Sequence, residues 1–165
     1  MKSLQAIKQE VLKLRDGNKQ PIDPDIFDLI VGLRAFGVPT QYSCAGHKEK
    51  NESFPYIDIY KDDSHISYDD YSPKMTRIKE KWIKENITAQ SKLIDLLTEF
   101  YKNRKVEYKY QISLHTVIDW SWARLKCIGS DLLQNMPSET FKKELLIYQK
   151  EMRMFGNFLI EKHGI

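Results

Sequence analysis

The sequence predicts an α+β domain, with helices packed on a four-stranded mixed or antiparallel sheet. Apolar residues recur at three- and four-residue spacing in four stretches and alternate with period two in others. These stretches follow one another in the order α-α-β-β-α-β-β-α, without internal repeats. The chain has 165 residues, of which 41% are hydrophobic. We therefore expect a single domain with one core over residues 1–165.

The first half of the chain carries two helices and two strands. The first helix has one apolar face, made by Leu4, Ile7, Val11 and Leu14. In the second helix, Asp23 is the expected N-cap, Pro24 occupies the first position, and Gly37 ends the helix. A short strand is predicted from Val38 to Ser43. A second strand from Pro55 to Tyr60 alternates between two faces.

The second half is predicted to be a long helix, a hairpin and a final helix. The long helix runs from about Pro73 to Lys102, with a kink or break expected at residues 86–88. The hairpin pairs Val106–Val117 with Trp122–Ile128, and the last helix runs from about Ser138 to Lys162.

Composition excludes several classes of protein. No run of about 18 apolar residues is present, so no membrane span is expected. The first residues lack the features of a signal peptide, and two cysteines cannot build a disulfide framework. We therefore expect a reducing, cytoplasmic setting. The net charge of +3 is too small to require a nucleic-acid partner, so that partner class is less favoured.

Charge is unevenly distributed along the chain. Residues 48–70 hold three basic and seven acidic side chains, whereas residues 71–105 hold nine basic and four acidic ones. These segments could form a surface for a charged partner such as a host protein. The alternative is an ordinary solvated helix face.

The segment after the first predicted strand carries the densest chemistry. Ser43, Cys44 and His47 place a hydroxyl, a thiol and an imidazole within five residues, and Gly46 permits a positive φ. Loops after strands commonly hold ligands, and N–H groups in such a turn can converge on an anion. The segment therefore favours a cradle for an anionic ligand.

Three other interpretations of this loop remain open. Cys44 could be a nucleophile with His47 as its base. The two could also be metal ligands, but the remaining candidates are not in paired spacing, so no metal is assigned; these are Cys127, His115, His65 and Asp58. In the structural alternative, Cys44 is a small buried residue and Gly46 only a turn residue.

Two residues of the predicted hairpin could contribute to the same ligand. Arg124, midway along the last strand, needs either a partner or a ligand, and Asp58 on the facing strand is the expected partner if it forms an ion pair. His115 is the second contributor, or a histidine on a polar strand face. Trp120 and Trp122 could stack on a base or simply pack.

The segment GVPTQYSCAGH, followed by PYIDI, resembles an uncharacterised group of bacterial and phage proteins. These carry a T-x-x-S-C-x-G-H loop and then a Y-I-x-[IF] strand. Residues 148–159 also resemble their final helix, and many members have Glu where Ala45 stands. More remotely, Thr40 to Gly46 is similar to the S-S-C-S-G loop of the wybutosine-synthesis methyltransferase family. That resemblance implies an S-adenosylmethionine-dependent activity on a tRNA base, although His47 stands where that family has Arg.

Together these observations predict a small cytoplasmic or phage-encoded protein that binds a nucleotide-like or other anionic ligand. The expected site comprises Ser43, Cys44, Gly46, His47, Arg124 and His115. One alternative is a non-catalytic interaction protein, such as a phage protein that blocks host defence. A second alternative is an RNA-modifying, methyltransferase-like enzyme. The residues alone identify neither a reaction nor a cofactor.

Overall fold

The computed structural model describes residues 2–15, 19–47, 54–118 and 122–164. The helices are α1 (Leu4–Leu12), α2 (Pro24–Ala35), α3 (Pro73–Tyr101) and α4 (Ser138–Gly164). The strands are β1 (Ser43–Cys44), β2 (Tyr56–Ile59), β3 (Ile112–Ile118) and β4 (Trp122–Cys127). Short 3₁₀ helices at Tyr108–Tyr110 and Ile128–Asn135 flank the β3–β4 pair. The predicted α+β class and the order of helices and strands are confirmed.

The four strands form one antiparallel sheet in the order β1-β2-β4-β3. Its two faces follow from the register. Ile57 pairs with Leu125, which also pairs with Leu114, so these side chains share the inner face. The next pair along these two strands is Asp58 with Arg124, and its side chains lie on the opposite, outer face. The alternation predicted for β2 is therefore confirmed.

The inner face of the sheet is covered by helices. Residues of α2, the second half of α3 and α4 form one apolar cluster with the buried strand residues. Two glycines allow α2 and α4 to approach closely. A Cβ on Gly156 would lie 2.9 Å from the backbone nitrogen of Leu29, and one on Gly32 would lie 2.7 Å from the Cβ of Leu159. This packing holds the middle and second half of α2 against the second half of α4.

Some predicted boundaries were wrong. Pairing along the first strand begins only at Ser43, although Gln41 and Tyr42 still exchange backbone hydrogen bonds with Asp58. The third strand begins at Ile112 rather than Val106, because the 3₁₀ helix at Tyr108–Tyr110 occupies its predicted start.

The long helix continues without a break through the segment at which a kink was expected. Asn86 is buried there, and its side-chain oxygen accepts a hydrogen bond from the Lys61 backbone at 2.8 Å. Its amide therefore joins the helix to the chain after β2 rather than disrupting the helix. The predicted turn at Trp120 lies outside the described residues. None of the described helices has the length and apolar character needed to span a membrane.

Candidate functional site

The loop after β1 is held from two helices. Gly46 has a φ of 82°, a left-handed conformation that glycine adopts without steric cost. The Ala45 amide donates to the Asp23 carboxylate at 3.1 Å, at the start of α2. From α4, the Gln149 side-chain amide donates to the carbonyls of Ala45 at 2.9 Å and Gly46 at 3.2 Å. The conformation of the loop is therefore fixed by residues far away in the sequence.

Asp23 has a different role from the one its position predicts. It is the N-cap residue of α2, followed by Pro24 as expected, but its side chain makes no capping hydrogen bond to its own helix. Its carboxylate instead accepts from the loop amide of Ala45. An N-cap aspartate normally satisfies one of the first amides of its helix. Here that carboxylate is directed towards the loop.

This arrangement brings a carboxylate, a thiol and an imidazole together. The ligand-capable atoms of Asp23, Cys44 and His47 all lie within 4.8 Å of one another. Cys44 is buried and its Sγ accepts a hydrogen bond from the Gly46 amide at 3.3 Å, whereas His47 is exposed. These three side chains are the residues of the site that could hold a metal ion.

A cavity of about 620 Å³ lies directly beside the loop. Ser43, Cys44 and His47 line it. Other polar and aromatic side chains complete its wall: Arg15, Gln20, Asp23, Arg34, Thr40, Gln41, Tyr42 and Tyr56. The volume falls within the roughly 300–1,000 Å³ typical of small-molecule sites.

Arg34 is held on this wall by two hydrogen bonds to Thr40. Its Nε donates to the Thr40 hydroxyl and its Nη2 to the Thr40 carbonyl, both at 2.9 Å. Burial lowers the pKa of Arg34, while the charge of Glu10 opposes that shift, but a guanidinium remains protonated in proteins. Arg34 also lines a second cavity of about 890 Å³, which contains His65. It therefore separates two cavities and supplies positive charge to both.

Arg124 forms the ion pair with Asp58 that the facing strands predicted. Its Nε and Nη2 donate to the two carboxylate oxygens at 2.6 and 2.9 Å, and Asp58 is 1% exposed. The hydrogen bonds to Asp58 raise the pKa of Arg124. Its guanidinium carbon lies 3.9 Å from the ring centroid of Tyr56. Arg124 thus packs against the ring of Tyr56, a residue of the cavity wall, but does not itself line the cavity.

His115 lies further from the loop. It pairs with Arg124 in the β3–β4 register, and its Nε2 is 2.7 Å from the Ser113 hydroxyl. Desolvation, helped by the charge of Lys126, lowers the pKa of His115, whereas Asp131 acts in the opposite direction. Four of the predicted site residues therefore lie in β1 and the loop after it, while His115 lies on β3 and Arg124 on β4.

Sequence reasoning missed several residues of this site. Asp23 gave a visible signal as an N-cap, but nothing in its spacing indicated that it reaches Ala45, 22 residues away. Gln149 lies more than 100 residues from the loop and carries no local signal. Comparison with family models, with curated proteins and with solved structures gives no match for this chain. The resemblances drawn from its motifs therefore stay predictions.

Proposed function

We propose that this protein binds a small anionic ligand of nucleotide type in the cavity beside the Ser43–His47 loop. The observation that carries the proposal is the shared lining of that cavity. Ser43, Cys44 and His47 lie on its wall together with two arginines, Arg15 and Arg34. Reactive loop side chains, positive charge and adequate volume thus occur at one place.

The wall offers two kinds of contact that a nucleotide uses. Arg34 and His47 supply N–H donors suited to a phosphate. Tyr42 and Tyr56 supply aromatic rings on the same wall, and base–aromatic stacking contributes about 1–3 kcal/mol per base. Tyr56 is backed by Arg124, which limits the positions available to its ring. An anion with a planar group matches this combination better than a bare inorganic ion.

Arg124 and His115 have supporting roles in this proposal. Arg124 is already neutralised by Asp58, so it positions Tyr56 instead of contacting ligand charge. His115 hydrogen-bonds Ser113 on β3 and lies outside the cavity lining. The ligand contacts are therefore assigned to the loop and to the two arginines.

The test is ligand-dependent thermal stabilisation of the full chain. Inorganic phosphate, pyrophosphate, AMP, ATP and S-adenosylmethionine are added separately at millimolar concentration. A ligand present at 100 times its Kd adds about 2.7 kcal/mol to the free energy of unfolding. For a chain of this size that corresponds to a rise in Tm of roughly 5–11 °C. We expect this rise with at least one nucleotide and a smaller rise with phosphate alone.

Matched histidine variants locate the binding. His47→Ala should remove the ligand-dependent rise without changing the Tm of the ligand-free protein, because His47 is exposed. His65→Ala, in the second cavity that Arg34 also lines, should leave the rise intact. Loss of the rise in His65→Ala but not in His47→Ala would move the ligand to the other cavity and overturn the proposal. The absence of a rise with every compound would also overturn it.

The exposed face of α3 supports a second candidate function, a partner-binding surface. Lys74, Arg77, Lys81 and Lys84 are exposed on the first half of this helix. That half packs through Trp82 on a small cluster with Tyr60 and Ile66. Charge reversal at Lys81 and Lys84 should abolish salt-sensitive capture of an acidic partner protein from a host lysate. Capture that is unaffected by the reversal would contradict this function.

A further inference from the structure

We propose that Asp23, Cys44 and His47 form a zinc site with one coordination position open towards the adjoining cavity. The carboxylate, thiol and imidazole come from the start of α2, from β1 and from the loop after it, and their ligand atoms lie within 4.8 Å of one another. The site does not depend on the anionic ligand proposed above.

The separation of these atoms suits a zinc ion after a small adjustment. Zinc binds sulfur at about 2.3 Å and histidine nitrogen or carboxylate oxygen at about 2.0–2.2 Å. A tetrahedral arrangement with these bond lengths places ligand atoms roughly 3.3–3.7 Å apart. Because all separations lie within 4.8 Å, the required closure is at most about 1–1.5 Å. His47 is exposed, so its ring can approach the other two ligands without repacking the core.

Hydrogen bonds from the surrounding chain orient the ligands, as in metal sites generally. The Ala45 amide holds the Asp23 carboxylate, and the Gly46 amide donates to Cys44 Sγ. Gln149 fixes the carbonyls of Ala45 and Gly46 from the other side. A carboxylate that gives up the capping of its own helix in order to join this network is unusual for a purely structural N-cap.

The donor set identifies the class of metal. Magnesium and calcium prefer oxygen ligands throughout, whereas thiolate and imidazole are typical ligands of zinc. Binding releases the Cys44 thiol proton to solvent and forms a zinc–thiolate bond. The thiolate and the Asp23 carboxylate then offset the two positive charges of the ion, and His47 coordinates as a neutral imidazole.

The described part of the chain brings three ligand atoms together, whereas tetrahedral zinc has four positions. All three ligand residues also line the cavity of about 620 Å³. The fourth position is therefore available to water or to an anionic oxygen ligand. A zinc ion held by these three ligands would make the charge of this wall, which already carries Arg34, more positive.

The experiment measures zinc affinity of the chelator-stripped full chain in phosphate-free buffer, by competition with a chromophoric chelator. Cobalt substitution provides a second measurement, because a cobalt–thiolate bond gives a charge-transfer band in the near ultraviolet. The variants are Asp23→Asn, Cys44→Ser and His47→Ala. Asparagine can still accept from the Ala45 amide, so Asp23→Asn removes charge while preserving the loop contact. His65→Ala and Cys127→Ala are the controls.

We expect one zinc ion per wild-type chain and a cobalt–thiolate band. Loss of a supporting group around a metal ligand typically weakens affinity 10–100-fold, so loss of a ligand should weaken it more than about 100-fold. His65→Ala should bind as the wild type does, and Cys127→Ala should keep the cobalt band. Absence of stoichiometric zinc in the wild type, or wild-type zinc affinity in His47→Ala or Cys44→Ser, would overturn the proposal. Because no anion is added in this experiment, its result does not bear on nucleotide binding, and the two proposals can fail separately.

Discussion

The two cysteines of this chain are both buried thiols, but they lie in regions of opposite character. Cys127 is 0% exposed on the inner face of β4, within the apolar cluster, where burial and the charge of Glu151 raise the pKa of its thiol. Cys44 lies beside Asp23 and His47 on the wall of a cavity. The comparison shows that burial alone does not separate a cysteine of the apolar core from one that lines a cavity.

The region around Cys127 depends on apolar packing, so truncating its neighbours should have the largest effect. Phe155 on α4 is 0% exposed in the same cluster. Phe155→Ala should lower the free energy of unfolding by about 3–5 kcal/mol, through lost transfer energy and the cavity left behind. Urea denaturation followed by circular dichroism measures this loss. A loss below about 1 kcal/mol would contradict a tightly packed core.

Replacing each thiol by a hydroxyl compares the two regions directly. Cys127→Ser buries a hydroxyl among apolar groups and should cost about 1–3 kcal/mol. Cys44→Ser places the hydroxyl next to the Gly46 amide and a polar cavity wall, so its cost should be smaller, below about 1 kcal/mol. Chemical denaturation of the two variants side by side provides the measurement. Equal costs would mean that the two surroundings do not differ energetically.

At alkaline pH the free energy of unfolding should depend on Cys127, because its thiol binds a proton more tightly in the folded chain than in the unfolded chain. The raised pKa means that the folded chain retains the thiol proton where the unfolded chain has lost it. Stability from this group is therefore present below the ordinary thiol pKa and falls as pH rises above about 8.5, by up to roughly 1.4 kcal/mol per pH unit. Urea midpoints measured between about pH 8 and pH 10 should fall less in Cys127→Ala than in the wild type. Parallel curves would contradict the linkage.

A small effect is expected at the contact that holds the loop. Gln149→Ala removes the donor to the Ala45 and Gly46 carbonyls and should lower the free energy of unfolding by about 0.5–1.5 kcal/mol. The same change should weaken ligand or metal binding at the loop, because the ligand residues lose their orientation. Lys150→Ala, an exposed neighbour on α4, is the control. A variant with unaltered binding would show that Gln149 does not organise the loop.

The parts of the fold that sequence could predict are those governed by local periodicity. The helical stripes and the alternation of β2 follow from spacing along the chain, and the Asp58–Arg124 pair follows from placing their two strands opposite each other. The site combines Asp23, Ala45 and Gln149, whose contacts depend on how α2 and α4 pack beside β1. The glycines at the α2–α4 contact determine that packing, and no local pattern reports it. Sequence therefore identified the loop but not the residues that hold it.

The most direct test of the loop as a ligand site is the rate at which a small alkylating reagent modifies Cys44 in the native, chelator-stripped protein, in which no metal ion shields the thiol. Cys127 serves as the internal reference, and mass spectrometry separates the two products. We predict that Cys44 reacts in the folded chain while Cys127 reacts only after unfolding, and that a nucleotide which raises the Tm slows only the Cys44 reaction. Equal protection of both thiols in the ligand-free protein, or a Cys44 rate that such a nucleotide leaves unchanged, would contradict the account.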